Sequence, residues 1–346
     1  MWINYLSGCV ALLICLAALP LVRRLAQRFH LYDAPGPLKI HRDPIPRLGG
    51  MAMFAGLLCG SAIVFLPASR LSLLPIGVFA VIWAVGLADD LEPLSASFRF
   101  AVQMAAGSAL WFGGWRLQWF GWPVLDFAAT CLFVAFLINA MNLLDGMDGL
   151  AASVSAVACV GFLLLSAGSA DVLEITLASC LLGSCLAILF VNAPPAKMFM
   201  GDSGSTLVGI VLAFLSLNWI RSQADPRSVA IPMILLTVPI ADALLAILRR
   251  ARSQHGLFTG DRRHFYDILL QRGWTVENIL RTSVAVSGIL VAAAWLCARG
   301  ILSTWMTGAS VLCGLAACAH WLGSLQPDSP AVPARRQETP IGPAIE

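Results

Sequence analysis

Four short polar stretches interrupt an otherwise apolar chain, and each holds side chains able to bind phosphate, a metal or a nucleobase. Asp89 and Asp90 stand side by side in VGLADDLEPL. Asn139, Asn142, Asp145 and Asp148 follow in NAMNLLDGMDGL, Asn192, Lys197 and Asp202 in NAPPAKMFMGDSGS, and Asp261, Arg262, Arg263 and His264 in DRRH. Adjacent residues on a helix diverge by about 100°, so Asp89 and Asp90 are expected to take separate tasks rather than chelate one ion together. With Asp202 brought near, three carboxylates could hold Mg²⁺, a hard ion that prefers oxygen ligands and is often completed by substrate phosphates, with Mn²⁺ as a substitute. One of the three could instead act as a base or orient an attacking group.

Asp145 and Asp148 are three apart and would share a face of a short helix, while Gly146 and Gly149 suit a turn equally well. Their carboxylates, with the nearby carboxamides, suit a nucleobase or sugar; the plain alternative is a tight loop capped by its own Asn and Asp. In MGDSGS, Ser203 or Asp202 can cap the helix that follows, whose dipole would favour a diphosphate. The Gly-Lys-Ser/Thr ending of a Walker A loop is absent. Phe199 either stacks on a base or packs at the membrane edge. Beside Arg262 and Arg263, His264 is expected to be neutral until phosphate arrives, and the cluster could then neutralise a diphosphate and its leaving group. Asp242 lies in an apolar run after Pro232 and Pro239, where it either faces the cleft or forms an interhelical pair. His30, His41, His255 and His320 show no metal-ligand spacing.

The elements that must position these residues are membrane spans. Apolar residues make up 59% of the 346 positions and charged ones 12%, against about 45–50% and about 25% in a soluble domain. Apolar runs near 4–22, 49–67, 71–88, 98–114, 121–140, 151–168, 172–191, 203–220, 228–248, 279–297 and 302–323 predict an all-α, polytopic membrane protein with eleven transmembrane helices. The run at 98–114 is the weakest, because it holds Arg99 and Gln103. The first run is followed, not preceded, by basic residues and reads as a retained helix rather than a signal peptide. If the spans alternate, only Arg70, Arg116, Arg221, Arg227 and Arg299 of the 22 Lys and Arg fall on one face. The positive-inside rule makes the other face cytoplasmic, and all four polar clusters fall on it. Acidic groups at a bilayer boundary are costly unless paired, hydrated or bound to a cation, so their convergence predicts a cytoplasmic cleft.

Residues 1–325 are expected to form one membrane domain, and 326–346, with its prolines, a disordered cytoplasmic tail. The formal charge of +3 is small and dispersed, which argues against nucleic-acid binding. The 10 Cys sit in or beside apolar runs without a CxxC pair and read as small buried hydrophobes.

On DAPGPLKIHRDPIPRLGG at 33–50, GLADDL at 86–91, NAMNLLDGMDGLA at 139–151, FMGDSGS at 199–205 and DRRH at 261–264, the chain resembles the polyprenyl-phosphate N-acetylhexosamine-1-phosphate transferases. That family includes the phospho-MurNAc-pentapeptide transferases. The resemblance implies a bacterial inner-membrane enzyme, admits a homodimer among membrane lipids, and implies transfer of a sugar 1-phosphate from a UDP-N-acetylamino sugar to undecaprenyl phosphate, with Mg²⁺ and release of UMP. Carried over residue by residue, it makes Asp89 the group that deprotonates or orients the lipid phosphate and Asp90 its essential neighbour. Asp202 becomes the Mg²⁺ ligand, Asn142, Asp145 and Asp148 the nucleotide-side cluster, and Phe199 the residue packed on uracil. Arg99 matches the basic residue after the Asp pair and His264 the first His of a cytoplasmic motif. Arg47, Asn192, Lys197, Arg262 and Arg263 complete the candidate substrate-binding set.

The chain departs from the family in HFYD at 264–267, where members acting on UDP-GlcNAc resemble HxHH. This weakens the phospho-MurNAc-pentapeptide assignment and leaves UDP-GlcNAc and a deoxy-amino sugar open. A transporter is the competing reading, but it would place polar groups at mid-membrane in two related halves. Here the acids end helices on one face.

Overall fold

A computed structural model describes residues 2–33, 43–65, 73–167, 169, 171–223, 225–252 and 263–323. Asp261, Arg262 and the segment 326–346 lie outside them. The described chain is built from helices α1 (Trp2–Arg28), α2 (Gly49–Phe65), α3 (Leu73–Leu91), α4 (Ala96–Phe112), α5 (Pro123–Leu144), α6 (Leu150–Leu165), α7 (Val172–Asn192) and α8 (Gly201–Arg221). They are followed by α9 (Ala230–Leu235), α10 (Thr237–Arg252), α11 (Phe265–Gln271), α12 (Val276–Ala298) and α13 (Thr304–Leu322). A two-residue antiparallel pair, β1 (Tyr32–Asp33) and β2 (Ile45–Pro46), is the one sheet among the described residues.

Every predicted run coincides with helix, but not every helix is a full span. Seven of the described helices are long and apolar enough to cross a membrane: Tyr5–Arg28, Leu73–Leu91, Pro123–Leu144, Val172–Asn192, Gly201–Arg221, Val276–Ala298 and Thr304–Leu322. The chain is therefore an all-α protein of several membrane spans, and the expected eleven is reduced to seven by this measure. At 1.5 Å per residue, the 17 residues of α2 and 16 of α6 fall short of about 30 Å of hydrocarbon. Helix α4 is also 17 residues long and carries Arg99 and Gln103.

The expected ninth run is broken into α9 and α10 at Leu236. Pro239 lacks an N–H and its ring crowds the carbonyl four residues back, which favours a break just before it, whereas α1 carries Pro20 within a single helix. The Thr237 hydroxyl donates to the carbonyls of Met233 (3.1 Å) and Ile234 (2.7 Å), satisfying backbone that the break would strand.

Helix α8 is the axis of the bundle. Its central window is wholly buried, with α2, α3, α5, α6 and α7 packed around it. Helices α12 and α13 keep largely exposed apolar faces such as Ile289, Trp305 and Leu312, as lipid-facing helices do. The core thus holds α8 rigidly and presents its first residue, Gly201, at one end of the bundle.

Candidate active site

The start of α8 is held by a residue 112 positions away in sequence. The first turn of a helix leaves its N–H groups without intrahelical partners and carries the positive end of the dipole. Neither Ser203 nor Asp202 caps it. Instead the Asp90 carboxylate, at the end of α3, accepts from Asp202 N–H (2.8 Å), Ser203 N–H (3.0 Å) and the Ser203 hydroxyl (2.7 Å). Asp90 is 1% exposed, so its charge is carried by these donors rather than by water. Two glycines permit the approach. Gly201 has φ +71°, and a Cβ there would lie 2.6 Å from Asp90 Oδ1; a Cβ on Gly86 would lie 2.7 Å from the Asp202 carbonyl. The segment before α2 also threads past this point. Phe199 N–H donates to the Pro46 carbonyl, and Gly49 and Gly50 N–H donate to those of Phe199 and Met200, which brings Arg47 alongside Phe199.

Asp89 does separate work, as the divergence of the pair predicts. Its Oδ1 accepts from Leu94 N–H at 2.6 Å, and its Oδ2 pairs with Arg99. Ser95 caps α4 through Phe98 N–H, which puts Arg99 on the first turn of that helix. The same guanidinium lies 3.9 Å from Asp202 Oδ2. Asn142, in the last turn of α5, donates to Asp202 Oδ1 at 2.6 Å and to the Ser205 hydroxyl at 3.0 Å. The Asp89 side chain is 4% exposed and that of Asp202 34%. Of these two, Asp202 is therefore the carboxylate open to a ligand.

Beyond α5, residues 145–149 form a turn, not a helix. Asp145 closes α5, and its carboxyl is pushed well above the usual carboxylate range by burial, then by the charges of Asp202, Asp90 and Asp148. Asp148 accepts from Ala196 N–H at 2.9 Å. Asn192 is buried, accepting from Gly149 N–H (3.0 Å) and donating to the Met198 carbonyl (3.2 Å), so it ties the 192–200 loop to the turn. Lys197 is exposed on that loop and Phe199 half-buried.

His264 meets a partner that its neighbours in sequence do not suggest. Its Nδ1 lies 2.6 Å from Asp242 Oδ2, while Asp242 Oδ1 accepts from Phe265 N–H at 3.1 Å. Both side chains are buried, so the apolar run carrying Asp242 delivers an interhelical pair. Asp242 fixes which ring nitrogen faces inward, leaving Nε2 on the other side. Arg263 is half-buried beside it.

The expected three-carboxylate cage is not formed: among the described residues no three His, Cys, Asp or Glu are placed to hold an ion between them. Asp90 is turned into α8, which removes it from such a cage. Sequence reasoning also missed a cavity of about 680 Å³ between α4, α5 and α10. Phe100, Leu132, Phe133 and Phe136 line it, and Arg99, Asn142 and Arg250 stand along its wall. Asn139, on its lining, donates to the buried Gln103 at 2.5 Å. The pairing of Gln103 with Asn139 was a legible signal, since two carboxamides in apolar runs need each other.

The glycosyl transferase family 4 signature matches residues 72–220, which span α3 to α8 and hence the Asp89, Asp145 and Asp202 clusters. The chain is 32% identical over 274 residues to a probable undecaprenyl-phosphate N-acetylglucosaminyl 1-phosphate transferase of Bacillus subtilis, covering 76% of each. It is 34% identical over 318 residues to a decaprenyl-phosphate N-acetylglucosaminephosphotransferase of Mycobacterium tuberculosis, covering 80% of this chain and 78% of that one. Against the undecaprenyl-phosphate alpha-N-acetylglucosaminyl 1-phosphate transferase of Escherichia coli K12 the identity is 29% over 304 residues, covering 82% and 79%. With this similarity running through the helices that build the site, the chain belongs to glycosyl transferase family 4.

Proposed function

We propose that this protein transfers an N-acetylamino-sugar 1-phosphate, with N-acetylglucosamine the leading sugar, from its UDP-sugar to undecaprenyl phosphate in the bacterial inner membrane. The observation that carries the reading is the cavity of about 680 Å³, apolar along α4 and α5, with Arg99 and Asn142 in its wall and both bonded into the Asp89 and Asp202 cluster. A prenyl chain belongs on such a surface and its phosphate at Arg99. The names of the relatives support N-acetylglucosamine over a phospho-MurNAc-pentapeptide.

In the reaction an oxygen of the prenyl phosphate forms a bond to the sugar-bearing phosphorus. The bond from that phosphorus to the bridging oxygen breaks, and UMP leaves with the electron pair. Arg99 binds the incoming phosphate and in doing so releases Asp89, which then orients the attacking oxygen or takes its proton. Asp90 fixes Asp202 by fixing the α8 terminus. Asp145, Asp148 and Phe199 line the UDP side, and His264 and Arg263, with Arg262 next in sequence, face the diphosphate charge.

The donor set fits Mg²⁺. The ion needs only one or two carboxylates when substrate phosphates complete its shell, and Asp202 is the open one. Asp145, raised first by burial and then by the charges of Asp202, Asp90 and Asp148, marks a site where a cation would ease the clustering of carboxylates. Asp202 would hold the ion, with Asn142 steering its carboxylate; once bound, Mg²⁺ withdraws charge from the reacting phosphates. The distribution of Lys and Arg supports a cytoplasm-facing site, and the short helices α2, α4 and α6 with the broken α9–α10 pair are read as the remaining four of eleven crossings.

The test is purified protein with undecaprenyl phosphate, Mg²⁺ and a panel of UDP-N-acetylamino sugars, followed for UMP and lipid-linked product. Both products with UDP-GlcNAc or one close analogue are expected. Neither product across the panel, from protein whose fold is intact, overturns the reading.

A further inference from the structure

We propose that Tyr266 is a positioning residue that locks His264 to the turn carrying Asp145 and Asp148; this rests on the transferase reading above. Three contacts carry the inference. The rings of His264 and Tyr266 stack with centroids 5.4 Å apart and planes within 8°. The Tyr266 hydroxyl donates to the Leu143 carbonyl at 3.2 Å. A Cβ on Gly146 would strike that hydroxyl and lie 3.0 Å from Cζ, so the turn is closed onto the ring with no room for a methyl group.

Each contact does a defined job. Leu143 lies in the last turn of α5, where carbonyls have no successor N–H to accept from, so the tyrosine hydroxyl completes that helix end. From the same end Asn142 reaches Asp202, and the next residues are Asp145 and Gly146. On its other face Tyr266 holds the imidazole whose Nδ1 is fixed by Asp242. Tyr266 is 4% exposed, so the strut is packed against movement in either direction. A histidine is shorter and has no phenolic oxygen to span this gap. The chain thus joins the nucleotide-side turn to the Asp242–His264 pair through one rigid ring, and the two halves of a UDP-sugar site move as a unit.

The test compares wild type with Y266F, Y266L, G146A and the double variant G146A/Y266F, measuring KM for UDP-GlcNAc and for undecaprenyl phosphate separately, with kcat and thermal unfolding. Y266F keeps the stack and loses the hydrogen bond; it is expected to raise KM for the UDP-sugar ~2- to 10-fold, as one net hydrogen bond implies, with KM for the lipid phosphate held within about two-fold. Y266L, losing both contacts, is expected to lower kcat as well, by about 10-fold or more. Gly146 does not have a positive φ, so its alanine has only Tyr266 to displace; G146A is expected to harm the wild type more than it harms Y266F. If wild type and variants alike give no UMP with any UDP-sugar, the transferase reading falls and takes this proposal with it. If wild type turns over and Y266F raises both KM values equally, or alters only thermal stability, or if G146A and Y266F act additively, the strut alone is overturned.

Discussion

Both ends of α8 gather acidic residues, two at one and five at the other, and the two ends use them differently. At the far end, Asn218 donates to both Asp171 (2.8 Å) and Glu174 (2.7 Å). Its own oxygen accepts from the Trp115 indole (2.9 Å) and from Arg221 (3.3 Å). The Arg221 guanidinium sits 5.0 Å over the Trp115 ring. That network draws its polar groups onto one carboxamide inside the protein, with Glu174 Oε1 left buried and without a hydrogen-bond partner. At the near end Asp90 is saturated, but Asp202 is left open and Asp145 is crowded by three other carboxylates. Chemistry is available where neutralisation is incomplete, and a bound cation and two phosphates are what would complete it.

Several experiments break or sharpen this contrast. The largest effect is expected from chelation: EDTA should abolish UMP release, Mg²⁺ or Mn²⁺ should restore it, and thermal unfolding should stay put. Turnover surviving exhaustive chelation would remove the ion from the near end. Asp202→Asn should reduce kcat by about 10³-fold at unchanged stability; near-normal kcat would show that the open carboxylate is idle. Asp90→Asn should lose about 10- to 100-fold in turnover through misplaced Asp202, and unlike Asp202→Asn it should also lower stability by about 1–3 kcal/mol. A catalytic loss with no change in unfolding would move Asp90 from scaffold to chemistry. The smallest catalytic effect is expected at the far end, where Asn218→Ala strands Asp171 and Glu174. It should cost about 1–3 kcal/mol in unfolding and leave kcat within about two-fold. A large kcat loss there would mean that the two ends are coupled.

Much of the fold was legible in sequence, because lipid imposes a single rule on long apolar runs: satisfy the backbone internally, as helix. Length was harder to read. The run at 228–248 looks continuous in composition, but it divides at Leu236 shortly before Pro239, and α2 and α6, at 17 and 16 residues, are shorter than the apolar runs that predicted them. The site was legible as residues and not as roles. Asp89 and Asp90 were separable in advance from helix geometry alone. That Asp90 caps α8 was not, since local sequence offered Ser203 and Asp202 for that task. Nor was the choice of Asp242 over phosphate or solvent as the partner of His264, because nothing within twenty residues of His264 marks Asp242.

By itself, then, the sequence determined the solvent, the helical class and, through its motifs, a family to test. Those properties follow from composition and spacing, which act locally along the chain. The tertiary structure decided which carboxylate stays open, which is consumed in holding a helix, and what braces His264. Those outcomes depend on which groups meet across the chain, from 22 residues between Asp242 and His264 to 112 between Asp90 and Asp202: a buried carboxylate is satisfied by whichever donor packing brings to it, and packing is a property of the whole bundle.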